Sequence, residues 1–343
     1  MLGERGEAEG PLQPAAPFAI RVGHWAGKPD DVGMLPSRSG SLPLFRLLGV
    51  RVYLHWWWFV FAAFEIALRS RAYSSYTWNI AEYLALFLIV LLHEYGHALA
   101  CRQTGGKADE IILWPLGGVA FVRPPPRPGA ELWSIAAGPL VNVVLVPVIF
   151  GLIWARTGLG WGAGSADYRQ FLQALFWINS GLLAFNLLPV YPLDGGQILR
   201  SLLWFAVGRA RSLKIATLLG MAGVVLLAGG LLWLQPQRWL FTLLIAGFLA
   251  SQCLAGLRQA RLMLALENLP RHTGFRCPSC RQAPPGGPLW PCPSCGNGFD
   301  PFSTGAVCPH CSARRSEIPC PHCGTGSPPA AWGGGRTPPI IDV

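Results

Sequence analysis

A chain of 343 residues in which 52% are hydrophobic and only 13% charged, with a mean hydropathy of +0.37, is not an ordinary soluble domain. Its apolar residues come in long blocks instead of amphipathic stripes, the pattern of several membrane spans with smaller appendages. The net charge of +10 would suit nucleic acid, but a membrane protein gains basic residues through the positive-inside bias, and its fifteen tryptophans suit a membrane interface.

Residues 1–43 are rich in Gly, Pro and charge and have no apolar core, so they read as a disordered lead and not as a cleavable signal. A first apolar block runs from Val52 to Leu68, and a second from Trp78 to Cys101. The next stretch, GGKADEIILWPLGGVAFVRPPPRPG, holds two apolar runs too short to span, separated by Pro115, Gly117 and Gly118. It reads as a re-entrant β-hairpin or as a loop covering whatever the second block carries. The third block, Leu132–Trp154, contains AGPLVN, and the fourth, Phe171–Leu188, ends in FNLLPVYPLDGG. There Pro189 and Pro192 stop the helix, while Gly195 and Gly196 permit a tight turn after Asp194. Blocks at Ile215–Leu234 and Trp239–Leu257 bring the expectation to about six spans in an all-α polytopic membrane domain over residues 44–262. A basic stretch with Arg258, Arg261 and Arg271 leads to a cysteine-rich module over 274–325, and residues 326–343 read as a disordered tail.

With six spans, Lys and Arg concentrate on the side that holds both termini, which predicts cytoplasmic termini. The second and fourth blocks then run in the same direction, and motifs almost a hundred residues apart in sequence reach the same depth.

The second block carries HEYGH at residues 93–97. On a helix, positions i and i+4 lie about 40° apart, so His93 and His97 leave one face and can share one zinc ion. Glu94 is placed to act as the general base for an attacking water. A carboxylate inside an apolar span costs roughly 2.5 to 3.5 kcal/mol on the insertion scale, and a metal supplies the reason to keep one. A catalytic zinc takes three protein ligands and leaves one position open, and Asp194, at the matching depth after a helix break, is the best third candidate.

From Leu44 to Leu257 the chain resembles the site-2 proteases, intramembrane zinc metalloproteases, through HEYGH, PLGGVA (115–120), AGPLVN (137–142) and NLLPVYPLDGG (186–196) in that order. The resemblance implies that His93, His97 and Asp194 hold the zinc and that Glu94 is the catalytic acid/base. It also implies that Asn186 binds the substrate backbone or stabilises the oxyanion, although an Asn that merely ends a helix would look the same. Asn142 is either a hydrogen-bonding support of the site or a polar contact between spans. The substrates implied are membrane-spanning helices, locally unwound, with the hairpin at Leu113–Val122 able to bind the unwound segment by strand addition.

Eight of the ten cysteines form four Cys-x-x-Cys pairs between Cys277 and Cys323, a strong zinc signal. Consecutive pairs would fill two structural sites, Cys277, Cys280, Cys292 and Cys295, then Cys308, Cys311, Cys320 and Cys323, in a double zinc ribbon. Cross-bracing of the first pair with the third and the second with the fourth is the alternative. His310 and His322, inside the knuckles, read as bystanders. The chain thus calls for one catalytic and two structural zinc ions. The thiolates need a reducing compartment, in agreement with a cytoplasmic C-terminus.

The ribbons read as a docking site for a protein partner. Nucleic-acid contact through Arg281, Arg314 and Arg315 is disfavoured because the basic residues are sparse and not interleaved with aromatics. Compactness and the absence of a targeting signal point to a prokaryotic inner membrane. The competing reading of the whole chain is a catalytically silent membrane scaffold that recruits a soluble partner through its ribbons. The intact HExxH and Asp194 argue against it.

Overall fold

The computed structural model describes residues 40–333 apart from 70, 115, 116 and 163. The chain divides into two compact units, one up to Asn268 and one from Leu269 onward. The lead expected over residues 1–43 lies outside the described residues as far as 39, and from Ser41 onward the chain is a strand.

The first unit opens with β1 (Ser41–Leu47) and β2 (Val50–His55), followed by α1 (Trp57–Leu68) and α2 (Tyr76–Gln103). A second hairpin, β3 (Lys107–Trp114) and β4 (Gly117–Arg123), precedes α3 (Pro128–Gly158), α4 (Ala166–Asn186), α5 (Asp194–Val207), α6 (Arg209–Leu234) and α7 (Trp239–Glu267). The expected hairpin is present, but as half of a four-stranded sheet in the order β1-β2-β3-β4. Strand β2 pairs with β3 in parallel, and both hairpins are antiparallel. Alternation in VRVYLH drives this: Val50, Val52 and Leu54 are buried against Ile111 and Leu113, while Arg51 points outward to Glu110.

Among the described residues four helices are long and apolar enough to cross a membrane: α2, α3, α6, and the stretch Pro236–Glu267 that contains α7. These four coincide with the second, third, fifth and sixth of the apolar blocks expected to span. The first apolar block is split, since Val52–His55 alternates as a strand and leaves α1 only 12 residues. The fourth forms a helix of 21 residues, but Asp167, Arg169, Gln170, Gln173 and Asn179 keep it from being a continuously apolar span.

Helix α2 is the centre of the unit. Of its apolar window 56% is buried, against 22% for α6 and for the α7 stretch. The outer faces of α3, α6 and α7 expose Val144, Phe150, Leu226, Trp233, Phe241 and Leu244, an apolar surface suited to lipid and not to water.

The second unit is small and built on aromatics. Phe302 packs its ring against Phe275, Trp290 and Trp332 with centroids 5.0 to 5.3 Å apart. Short hairpins β5 (Trp290–Pro291) with β6 (Gly298–Phe299), and β7 (Ile318–Pro319) with β8 (Gly326–Ser327), each enclose one Cys-x-x-Cys pair. Residues 326–333, expected to begin a disordered tail, form β8 and a turn of 3-10 helix. Phe275 bridges to Gly333, and the Arg276 amide donates to Trp332 O at 2.8 Å, so the end of the module returns to its beginning.

Candidate metal centre and its surroundings

Helix α2 delivers His93, Glu94 and His97 from its C-terminal half, all buried (3%, 6% and 8% exposed). Asp194 arrives from the opposite side as the first residue of α5. One Asp194 oxygen lies 3.1 Å from His93 Nε2 and 3.5 Å from His97 Nε2, and the two Nε2 atoms are 3.1 Å apart. The expected turn after Asp194 is instead a helix start. Gly195 and Gly196 serve close approach, because a Cβ on either would fall within 2.3 to 2.5 Å of the backbone at Leu187 and Tyr191.

The partners of the far ring nitrogens bear on what this cluster could hold. His97 Nδ1 lies 2.9 Å from the Ser134 carbonyl, and His93 Nδ1 lies 2.6 Å from Asn142 Oδ1. With a proton committed to each Nδ1, both Nε2 atoms present lone pairs to a carboxylate oxygen that is buried and has no well-aligned donor. Three acceptors crowded together repel unless a cation lies between them, so the donor set fits a zinc ion with two imidazoles and one carboxylate.

Glu94, beside this cluster, is tied to the sheet. Its Oε2 accepts from the Ala120 amide of β4 at 3.0 Å. Because β4 is an edge strand, this amide belongs to the row that no other strand pairs among the described residues. Asn186, the last residue of α4, brings its Nδ2 to 3.5 Å from His93 Nε2. The structure thus gathers His93, Glu94, His97, Asn186 and Asp194 at one place.

Several supporting residues escaped the sequence reading. Gly118 leaves room for Glu94, since a Cβ there would lie 2.3 Å from Glu94 Cγ, and Gly138 does the same for His97, at 2.3 Å from Nε2. Both sit inside motifs already singled out, PLGGVA and AGPLVN, which was the available signal. Nothing local marked Ser134 or Asn179. Asn142 proves to be a support of the site and a contact between helices at once, donating from Nδ2 to Asn179 Oδ1 on α4 at 2.8 Å. A buried pair between Arg200 on α5 and Glu131 on α3, 2.5 Å apart, ties the Asp194 helix to α3. The buried Cys253 thiol donates to Tyr191 O at 2.9 Å and helps hold the loop before Asp194.

In the second unit the cysteines form two tetrads, but in neither of the two arrangements expected. Cys277 and Cys280 join Cys320 and Cys323, and Cys292 and Cys295 join Cys308 and Cys311. The pairing is nested because the chain closes on itself at Phe275 and Gly333, bringing the first pair to the last. Loops of eight to twelve residues between the pairs permit all three arrangements, so spacing could not choose. All four knuckles share one geometry: the residue after the second Cys, namely Arg281, Gly296, Ser312 or Gly324, has φ between 57° and 75°. Its amide returns to the first Cys carbonyl at 2.8 to 2.9 Å. In the inner tetrad the Cys295 amide holds Cys292 down at about 6. Cys311 is helped by a hydrogen bond from the Ala313 amide, yet the thiols of Cys292 and Cys295 push it up to about 12. Four thiols that cannot all ionise together are a donor set that fits a zinc cation. His310 and His322 stand outside both tetrads. Arg315 is engaged within the module, donating to Pro291 O and Glu317 O.

Residues 81–159 and 162–230 match the family model for Peptidase family M50. The zinc metalloprotease MJ0392 of Methanocaldococcus jannaschii is 34% identical over 193 residues, 56% of this chain and 54% of that one. YwhC of Bacillus subtilis is 30% identical over 158 residues, 37% of this chain and 72% of that one. A solved site-2 protease from Methanocaldococcus jannaschii covers 63% of this chain and 95% of its own, with 28% sequence identity and a TM-score of 0.43. The chain spans about half the length of the longer relatives it matches.

Proposed function

The chain belongs to peptidase family M50, and from that premise we propose that it is an intramembrane zinc endopeptidase acting on transmembrane protein substrates near the cytoplasmic face. The observation that carries the proposal is the convergence of His93, His97 and Asp194 with Glu94 beside them under an edge strand. Zinc bound there supplies a Lewis acid that polarises the scissile carbonyl and makes water acidic enough to lose a proton near neutrality.

The protein's own groups do the rest. Glu94 takes the proton of the attacking water and returns it to the leaving amine. Asn186 donates its amide to the oxygen that gains charge as the carbonyl is attacked, a role supported by its place beside His93. The free edge of β4 aligns an unwound substrate segment as an added strand across Glu94. Burial of His93 and His97 excludes bulk water, and the apolar faces of α3, α6 and α7 keep the site within the bilayer.

The same reading places both termini in the cytoplasm of a prokaryote, where the ribbon thiols stay reduced and bind two structural zinc ions. The ribbons then serve a protein partner or substrate choice, since closed all-thiolate sites leave no position for chemistry.

The test is cleavage of a single-span model substrate in reconstituted bilayers by the wild type and by Glu94→Gln. The wild type should cut, lose activity to a zinc chelator and recover on zinc addition, while Glu94→Gln should be silent. Equal processing by both would overturn the proposal.

A further inference from the structure

We propose that Asn179 is a positioning residue for the metal centre, setting the tautomer of His93 by fixing which way round the Asn142 amide stands. The inference rests on the reading of His93 as a zinc ligand.

A histidine that binds metal through Nε2 must carry its proton on Nδ1. His93 Nδ1 faces Asn142, whose amide has an accepting and a donating end of nearly the same shape. Turned the other way, Asn142 would offer a donor, draw the lone pair of His93 to Nδ1 and leave the proton on Nε2, where the metal must sit. What prevents this lies one residue further on. The backbone carbonyl of Asn142 can only accept, and Asn179 meets it at 3.0 Å, so Asn179 must present its Nδ2 there. Its Oδ1 then faces Asn142 Nδ2 at 2.8 Å, which leaves Asn142 Oδ1 for His93 at 2.6 Å. A fixed polarity passes from one backbone carbonyl through two amides into the imidazole. Asn142 and Asn179 are both 0% exposed, so water does not stand in for either. His97 reaches the same result in one step, because its Nδ1 faces the Ser134 carbonyl directly.

The experiment measures, in the full-length protein by competition with a chromophoric chelator, the affinity of the one zinc equivalent that His93→Ala removes. Asn179→Leu should weaken that zinc about 10- to 100-fold. In an Asn142→Asp background both side-chain oxygens accept, orientation no longer matters, and Asn179→Leu should change the affinity by no more than about twofold. Asn179→Asp, which still accepts from Asn142 Nδ2, should keep most of the affinity and covers the case in which the leucine variant misfolds. Equal losses in the two backgrounds, or no loss with Asn179→Leu, would overturn the proposal. If His93→Ala removes no zinc, the ligand reading itself has failed, which is a separate outcome.

Discussion

Gly118 and Glu94 are in such close contact that one added methyl group would occupy the space of the Glu94 side chain, with Cβ to Cγ only 2.3 Å. Strand β4 is therefore both the roof over Glu94, the proposed general base, and, through the Ala120 amide, its hydrogen-bond partner. Gly118→Ala is expected to displace the carboxylate by an ångström or so and to lower kcat about 100-fold, with zinc content unchanged. Single-turnover cleavage beside metal analysis checks this, and full activity would show that Glu94 works from elsewhere.

Gly138 makes the corresponding space for His97 Nε2, the atom that faces Asp194. Gly138→Ala should therefore strike binding and not only rate. We expect the catalytic zinc equivalent to be lost at micromolar free zinc while both ribbon equivalents remain. Retention of all three would contradict the assignment.

The Arg200 and Glu131 pair is buried and spans α5 and α3. Arg200→Met leaves a buried carboxylate without its partner and should cost about 3 to 5 kcal/mol, whereas Arg200→Met with Glu131→Gln should recover most of the loss. Denaturant unfolding in detergent micelles separates the two, and equal stability of the single and double variants would refute the pairing.

The nested tetrads make a specific claim about the ribbon module. Cys277 Sγ lies 3.7 Å from Cys323 Sγ, and Cys292 Sγ lies 3.5 Å from Cys311 Sγ. Mild oxidation after zinc removal should therefore give disulfides from the first pair to the fourth and from the second to the third. Peptide mapping that finds Cys280 joined to Cys292 would restore the consecutive arrangement. Likewise, Cys277→Ser and Cys320→Ser should each remove the same zinc equivalent, so that the double variant loses no more than either alone.

By itself the sequence determined which side chains each local segment can present to a metal. The i, i+4 spacing in HEYGH puts two imidazoles on one helix face whatever surrounds them, and Pro189 and Pro192 must break the helix ahead of Asp194. The cysteine knuckles likewise announce tetrahedral metal sites from local spacing alone. Strand β2 was hidden because its alternation lies at the edge of an apolar block that continues into α1, and its pairing partner β3 is more than fifty residues away. The tertiary structure alone decided which cysteine pairs meet, that β4 covers Glu94, and that Asn142, Asn179 and Ser134 fix the far sides of the two histidines. The physical reason is the same in each case. Local spacing fixes which groups a segment can present, while contacts between distant segments depend on how the whole chain closes, and many closures satisfy the same local pattern.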